Sequence, residues 1–267
     1  MASLSVAILA HNEQANLPAA LESVMWADEI VVLDADSTDD TAKIAGEHHA
    51  RVIHQPNQAN LNVNKNIAID RCTHDWVLVL DADETIPPAL AGEIAAELER
   101  PQHDGYFIPR RNFVLGRWLR HGGQYPDLQL RLIRKKIARF PERHVHERIR
   151  VQGSVGHLIH PMDHTPYPTL AQMMRKGLFY AEFEAQIRRG TAKRSPLTYT
   201  YQILVRPPLR FLRRYLFKGG FRDGIPGLAV AFFDMFNNIV RWLRLWELQR
   251  AHGEERDIPS EPAGSDR

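Results

Sequence analysis

The first hundred or so residues alternate dense apolar runs with stretches in which apolar positions recur at helical spacing. Residues 3–10, 29–33, 51–54 and 76–80 form the runs and predict strands. The intervals predict helices from an Asn16 cap to about Trp26, from about Asp39 to His48, from about 63 to 71, and over 88–99. Pro18 suits the first turn of its helix, and the polar loop 34–41 offers N-caps to the next. Trp76-Val77-Leu78-Val79-Leu80 is apolar at every position, the pattern of a strand buried on both faces. Repeated βα units around such strands predict an α/β layered domain with a mainly parallel sheet.

After about Pro101 the pattern shortens. Runs at 106–108, 128–133 and 148–151, with turns at Gly122-Gly123, Pro126, Pro141 and Gly153, predict antiparallel strands that complete the sheet and wall a cleft. From Thr169 the chain is expected to be helical over 170–189, 209–218 and 228–249. The last two are basic and amphipathic with aromatic residues, which suits a membrane interface; packing on the domain or on another protomer is the alternative. Residues 251–267, rich in Glu, Pro and Gly, have the composition of a disordered tail.

Composition changes little of this, since 44% apolar and 25% charged residues are ordinary for a globular protein. The lone Cys72 excludes an internal disulfide framework and fits a reducing compartment. The N-terminal apolar run is short, lacks a basic leader and meets His11-Asn12-Glu13 at once, so a first strand is expected rather than a signal peptide. No apolar stretch reaches membrane-spanning length. Charge is unevenly spread despite a net +2: between Arg110 and Arg150, twelve Lys or Arg face only Asp127, Glu142 and Glu147. Such a window could meet phosphates, an anionic saccharide, nucleic acid or an anionic membrane.

The chemistry concentrates where apolar runs stop. Asp81-Ala82-Asp83-Glu84 follows the 76–80 strand, and Asp34-Ala35-Asp36-Ser37-Thr38 follows the 29–33 strand. Ligands of open α/β sheets bind beyond the carboxyl ends of their strands, so both loops are expected along one ligand-binding edge. Two carboxylates on a short loop suit Mg²⁺ or Mn²⁺ completed by phosphate oxygens and water; a solvated acidic loop is the bland alternative. Asp-x-Asp-x-Thr also fits an aspartyl-phosphate phosphatase, but the basic second half offers no later acidic pair. No G-x-G-x-x-G follows the first strand, which argues against a dinucleotide site. His144-x-His146-Glu147 could be a metal triad, but it lacks a second ligand cluster, so a phosphate or acceptor contact or a structural role is expected for His146.

Taken in order, Asn12-Glu13, Ala27-Asp28-Glu29-Ile30-Val31-Val32, Asp34-x-x-Ser37-Thr38-Asp39-x-Thr41 and Asp81-Ala82-Asp83-Glu84 resemble the inverting, nucleotide-sugar-dependent glycosyltransferases of family 2. Lys65-Asn66-x-Ala68, Arg117-Trp118-x-x-His121-Gly122-Gly123, Tyr125-Pro126-Asp127-x-Gln129-x-Arg131-Leu132, Val145-His146-Glu147 and Gly220-Phe221-x-Asp223-Gly224-x-x-Gly227-Leu228 narrow the likeness. They point to the branch containing lipopolysaccharide inner-core β-1,4-glucosyltransferases. Family loops usually carry Gly where this chain has Asp36 and Asp40. The resemblance implies a GT-A domain over 1–165, with a nucleotide-sugar half (1–100) and an acceptor half (101–165). A helical, membrane-associating region (166–250) and the tail (251–267) would follow.

The resemblance further implies that Asn12, Glu13, Asp34, Asp36, Lys65 and Asp81 bind the nucleotide-sugar. Asp34 or Asp36 would hold uracil, Lys65 would reach the pyrophosphate, and Asp83 with Asp81 would hold Mg²⁺ or Mn²⁺. Arg131, Arg134 and His146 would contact phosphate or acceptor. Inversion needs a carboxylate base in the acceptor half, where Asp127 is the first choice, Glu147 the second, and Glu142 is expected to be solvated. The implied partners are a UDP-sugar, a lipid-linked saccharide acceptor and an anionic membrane, without nucleic acid. The implied location is cytoplasmic, peripheral on the inner face of the cytoplasmic membrane. A catalytically silent saccharide-binding protein on the same fold is the alternative from another class.

Overall fold

In the computed structural model, residues 2–58, 60–142, 148–190 and 195–256 are described. They cluster into two units, Met1–Phe113 with Gln124–Pro166, and Val114–Gly123 with Tyr167–Arg267. The first unit opens with β1 (Leu4–Ala10), α1 (Leu17–Glu22), β2 (Glu29–Ala35), α2 (Thr41–Glu47), β3 (Arg51–Gln55), α3 (Leu61–Arg71) and β4 (Trp76–Asp81). It continues with β5 (Glu84–Thr85), α4 (Pro88–Glu99) and β6 (Gly105–Val114), whose last residue already belongs to the second unit. Strands β1 to β4 are parallel in the order β3-β2-β1-β4.

Side-chain alternation explains why these strands are apolar throughout. Trp76, Leu78 and Leu80 join Val6 and Ile8 in a core against α1 and α4, while Val77 and Val79 join Ala7 and the α3 residues Ala68 and Ile69 on the other face. Asn60 caps α3 by accepting from Asn62 N at 3.1 Å. Asn16 does not cap α1; its amide instead donates to Glu13 Oε2 at 2.6 Å.

The sheet grows past β4 by antiparallel strands. After β7 (Arg117–Trp118) come β8 (Asp127–Arg134), β9 (Ala138–Arg139), β10 (Arg150–Val151), β11 (Val155–His157) and β12 (Met162–Tyr167). Strand β8 lies between β4 and β6, and β12 returns beside β6 to pair with β5. The register sets His164 opposite Glu84 and Asp163 opposite Thr85. Strand β12 is absent from the sequence expectation.

The second unit holds α5 (Leu170–Arg188), α6 (Pro196–Thr200), α7 (Arg206–Leu212) and α8 (Gly224–Arg256). Thr169 caps α5 by accepting from Gln172 N. A turn with π spacing at Tyr201–Val205 joins α6 and α7 into one helical run that a second, Arg213–Phe217, extends, so it starts well before residue 209. Pro207 and Pro208 open α7 directly after a π turn, where their missing N–H groups are tolerated. Helix α8 runs six residues into the expected tail, and 257–267 lie outside the described residues. Arg117-Trp118-x-x-His121-Gly122-Gly123 and the Gly220–Gly227 motif belong together. His121 N and Nδ1 contact the buried Asp223 carboxylate at 2.8 and 2.9 Å, and Gly122 N donates to Lys218 O at 2.9 Å. A Cβ on Gly227 would lie 2.1 Å from Gly220 O, which is why only glycine fits there. No helix among the described residues is long and apolar enough to cross a membrane.

Candidate active site

The carboxyl edge of the parallel strands gathers the acidic residues. Across β1, Ala10 is in register with Asp34 of β2 and Leu9 with Asp81 of β4, so the two carboxylates stand one step apart along the same edge. The loops after β1 and β2 are clasped together. Asn12 N donates to Ser37 Oγ, Asn12 Oδ1 accepts from Thr38 N, and Glu13 N donates to Thr41 Oγ1. Asp36 has a φ of +53°, the left-handed region that explains glycine at this place in related loops; Asp tolerates it better than most side chains. Its Oδ2 accepts from Asn57 N, while Asp34 Oδ2 lies 3.2 Å from His54 Nδ1. Asp34 Oδ1 is buried without a hydrogen-bond partner among the described residues, as are both amide atoms of Asn64 on α3. Buried polar groups usually find a partner, and a polar ligand at this edge is one way to supply it.

Around β4 the charges alternate in contact. Asp81 Oδ1 meets Lys65 Nζ at 2.6 Å and Asp81 Oδ2 meets Arg131 Nη2 at 2.5 Å. Burial alone would raise the Asp81 carboxyl, but Arg131 and Lys65 hold it well below the usual carboxylate range. Arg131 Nη2 also donates to Glu84 Oε1 at 2.7 Å, and Arg110 Nη1 donates to the same oxygen at 2.8 Å. Arg110 then reaches Asp127 Oδ2 with Nε at 3.0 Å and Nη2 at 2.7 Å. Asp127, the first residue of β8, also accepts from Asn112 Nδ2 and Gln129 Nε2. Burial would raise its carboxyl too; Arg110 foremost, with the bonds from Asn112 and Gln129, holds it below the ordinary range.

Asp83 faces a different partner. Its Oδ1 lies 3.6 Å from His164 Nε2, and the backbone pairing of the turn with β12 (Thr165 N to Asp83 O, 2.9 Å) fixes that approach. His164 Nδ1 is 2.7 Å from Asn112 Oδ1, and Asn112 spends its amide protons on Gln124 O and Asp127. The imidazole therefore donates through Nδ1, and in the neutral ring Nε2 presents its lone pair beside the Asp83 carboxylate. With the ring neutral, the carboxylate and the imidazole are two donors that could hold a divalent cation; with the ring protonated they form an ion pair. Among the described residues no three His, Cys, Asp or Glu side chains gather into a metal cage, so phosphate oxygens and water would supply the remaining ligands.

Several sequence expectations need restating. Arg131, expected to contact phosphate or acceptor, is buried against Asp81 and Glu84. Arg134 pairs in register with Trp76 at the opposite end of β4 and contacts Asp104, so it stands away from the carboxyl edge. Both Asp81 oxygens are engaged by cations, Lys65 and Arg131, while Asp83 Oδ1 lies 3.6 Å from His164 Nε2. Glu142 is exposed, as expected, although its Oε1 accepts from Asn66 Nδ2 at 2.7 Å beside a clasp in which Asn60, Asn62 and Asn66 hold residues 140–142. His144, His146 and Glu147 lie outside the described residues. The sequence reading missed Arg110, Asn112 and His164 as site residues. No local pattern marks His164, since Met162-Asp163-His164-Thr165 between Pro161 and Pro166 shows no apolar alternation.

A mixed sheet with a parallel donor-type edge, an Asp-x-Asp turn at its central strand and antiparallel strands beside it defines a GT-A type glycosyltransferase domain. Residues 5–155 match glycosyl transferase family 2, and the chain belongs to that family. The lipopolysaccharide core biosynthesis glycosyltransferase LpsC of Rhizobium meliloti is 29% identical over 241 residues, covering 85% of this chain and 86% of the relative. An uncharacterized glycosyltransferase of Rickettsia typhi is 28% identical over 273 residues, covering 97% and 90%. The fold is also that of S. aureus TarS 1–349 crystallised with UDP, at a TM-score of 0.51 and 16% identity, covering 95% of this chain and 92% of that one.

Proposed function

We propose that this glycosyltransferase moves a hexose, read as glucose, from a UDP-sugar to an inner-core heptose of lipopolysaccharide or a similar cell-envelope glycan, with inversion. The likeness to LpsC along most of both chains supports the pathway. The observation that carries the chemistry is the pairing of Asp83 with His164 at the edge where Asp34 keeps a buried oxygen without a partner among the described residues. Asp34 and the clasped loops around Asn12, Glu13 and Asp36 would receive the nucleoside. Lys65, already beside Asp81, would exchange toward the diphosphate. A carboxylate with an imidazole fits Mn²⁺ better than Mg²⁺, which prefers an all-oxygen shell. Held by Asp83 and His164, the ion would neutralise charge on the departing diphosphate. Asp127 would take the proton of the acceptor hydroxyl as its oxygen bonds to the anomeric carbon and the bond to the diphosphate breaks. Incubating the protein with lipopolysaccharide acceptor and labelled UDP-, GDP- or ADP-sugars tests this: transfer from a UDP-hexose is expected, and transfer from GDP- or ADP-sugars alone would overturn it.

The same reading places the enzyme on the cytoplasmic face of the membrane, at its lipid-anchored acceptor. Leu197, Tyr201, Leu204, Val205, Leu209, Leu212 and Leu216 are exposed and follow one another at helical steps from α6 through α7. Arg213 and Lys218 are exposed along the same run. This stripe begins twelve residues before the expected segment. Helix α8, by contrast, divides its apolar residues: Trp242 and Leu245 are buried in a core with Ala185 of α5, while Phe232, Phe236, Leu243 and Trp246 are exposed. A basic, amphipathic, aromatic-bearing surface without a spanning helix suits residence in the interface.

A further inference from the structure

Glu84 is fully buried yet has no part in the chemistry above. Its Oε1 accepts from both Arg110 Nη1 (2.8 Å) and Arg131 Nη2 (2.7 Å), and its Oε2 accepts from Asp81 N (3.1 Å). Each arginine carries a second carboxylate, Asp81 for Arg131 and Asp127 for Arg110. The result is one unbroken path, Asp81–Arg131–Glu84–Arg110–Asp127, from the donor edge to the acceptor strand. We propose that Glu84 is a positioning residue that locks the donor-side carboxylate and the base into one rigid unit by anchoring both guanidinium groups; this rests on the reading of Asp127 as the base.

The physical case is that each arginine is stretched between two acids. A guanidinium presents its donors in a fixed plane, so anchoring one edge fixes where the other points. Arg110 directs Nη1 at Glu84 and its Nε and Nη2 at Asp127 Oδ2. Without the Glu84 charge, two guanidinium groups would face a neutral group in a buried place. Unpaired buried cations are strongly unfavourable, and each would shift toward its remaining acid. Asp127 would then turn or become overbound by Arg110. A base displaced by about 1 Å can cost on the order of 10²-fold in rate. Glu84 also lies on the short strand whose partner carries His164, so its backbone serves the Asp83 side as well.

The test is a double-mutant cycle on kcat with UDP-hexose and acceptor, with thermal melting as the check on folding. Glu84→Gln keeps the shape and removes the charge; kcat is expected to fall about 10–10²-fold. In an Asp127→Asn background the same change should cost less than about threefold, because effects that run through one group are not additive. Arg110→Lys, which cannot fork between two carboxylates, should show the same loss and the same non-additivity, and serves if Glu84→Gln melts early. Full multiplication of the effects, or wild-type kcat in Glu84→Gln, overturns the coupling. Wild-type kcat in Asp127→Asn alone overturns the base assignment and this proposal with it, which separates the two failures.

Discussion

Replacing Asp127 by Asn removes the proton acceptor while keeping the side-chain volume. The structure separates the catalytic cost from the structural one. Oδ2 accepts from Arg110 twice and from Asn112, while Oδ1 accepts from Gln129 alone. An Asn would keep its oxygen toward Arg110 and set its amide against Gln129, whose own amide can turn over. All four hydrogen bonds can then be kept, and the structural loss is the carboxylate charge opposite Arg110, about 1.5–3 kcal/mol. Loss of general-base catalysis costs roughly 10²–10⁴-fold in kcat, about 2.7–5.5 kcal/mol in the barrier. The assay is steady-state transfer from UDP-hexose at saturating acceptor, beside calorimetric titration with UDP. The expected result is the kcat loss with UDP affinity within about twofold of wild type, because uniform binding and transition-state effects part in this way. The direction of the Asp127 shift adds a pH signature. A carboxylate held below its ordinary value stays ionised as pH falls, so the acid limb of kcat/KM should lie below about 3.9, the usual Asp value. A variant with kcat within tenfold of wild type, or an acid limb above the ordinary carboxylate range, refutes the assignment.

Asp83→Asn should abolish the Mn²⁺ dependence of UDP binding, and His164→Ala should weaken it about 10–100-fold; unchanged Mn²⁺ titrations in both would move the metal elsewhere. Flotation with anionic vesicles should recover the protein at low salt and lose it as salt rises, with Arg213→Glu and Lys218→Glu together weakening binding by about 1 kcal/mol per residue; equal flotation on neutral vesicles at all salt concentrations refutes it. Glu29 is set low, at about 2: burial would raise it, but Ser5, Thr73 and Arg51 bond the charged form. Its contribution to stability, about 3 kcal/mol, is full above the unfolded value near 4.5 and fades as pH falls toward 2, so urea melts of Glu29→Gln and wild type should differ at pH 7 and converge at acid pH. A constant difference across that range would show that the bonds, not the charge, matter.

How much of this was legible in the sequence follows from where the partners of each residue lie. Strand β4 and its Asp-x-Asp end were readable because the signal is local: five successive buried residues and a sudden change of polarity. Strand β12 was not, because Met162-Asp163-His164 gains its strand character only by pairing with β5, some eighty residues earlier. The basic window between Arg110 and Arg150 looked like an open electropositive surface when counted along the chain. In the fold, Arg110 finds Glu84, Arg111 finds Asp163, Arg131 finds Asp81 and Arg139 finds Asp70. The neutralising acids come from other strands and helices, so a window count of charge misses them. The helix expected over 209–218 begins too late, because a π turn just before Pro207 and Pro208 lets the helical run pass through them.

The excursion of residues 114–123 governs how the protein can be taken apart. These residues leave the sheet unit between the strands that bear Asn112 and Asp127, and they are owned by the helices. Leu119 is buried with Met173, and His121 is tied to Asp223. Cutting the chain after residue 166 would remove Met173 and Asp223, the partners of Leu119 and His121, from this segment. The helical unit could not fold alone either, since it would lack the segment that occupies Asp223. The two units alternate along the chain, joined at three backbone crossings rather than one. A single recombination event could not exchange the helical unit for another and leave both halves whole. Descent of this architecture is therefore expected to carry both units together, with point changes, not domain shuffling, as the route by which acceptor or membrane preference diverges.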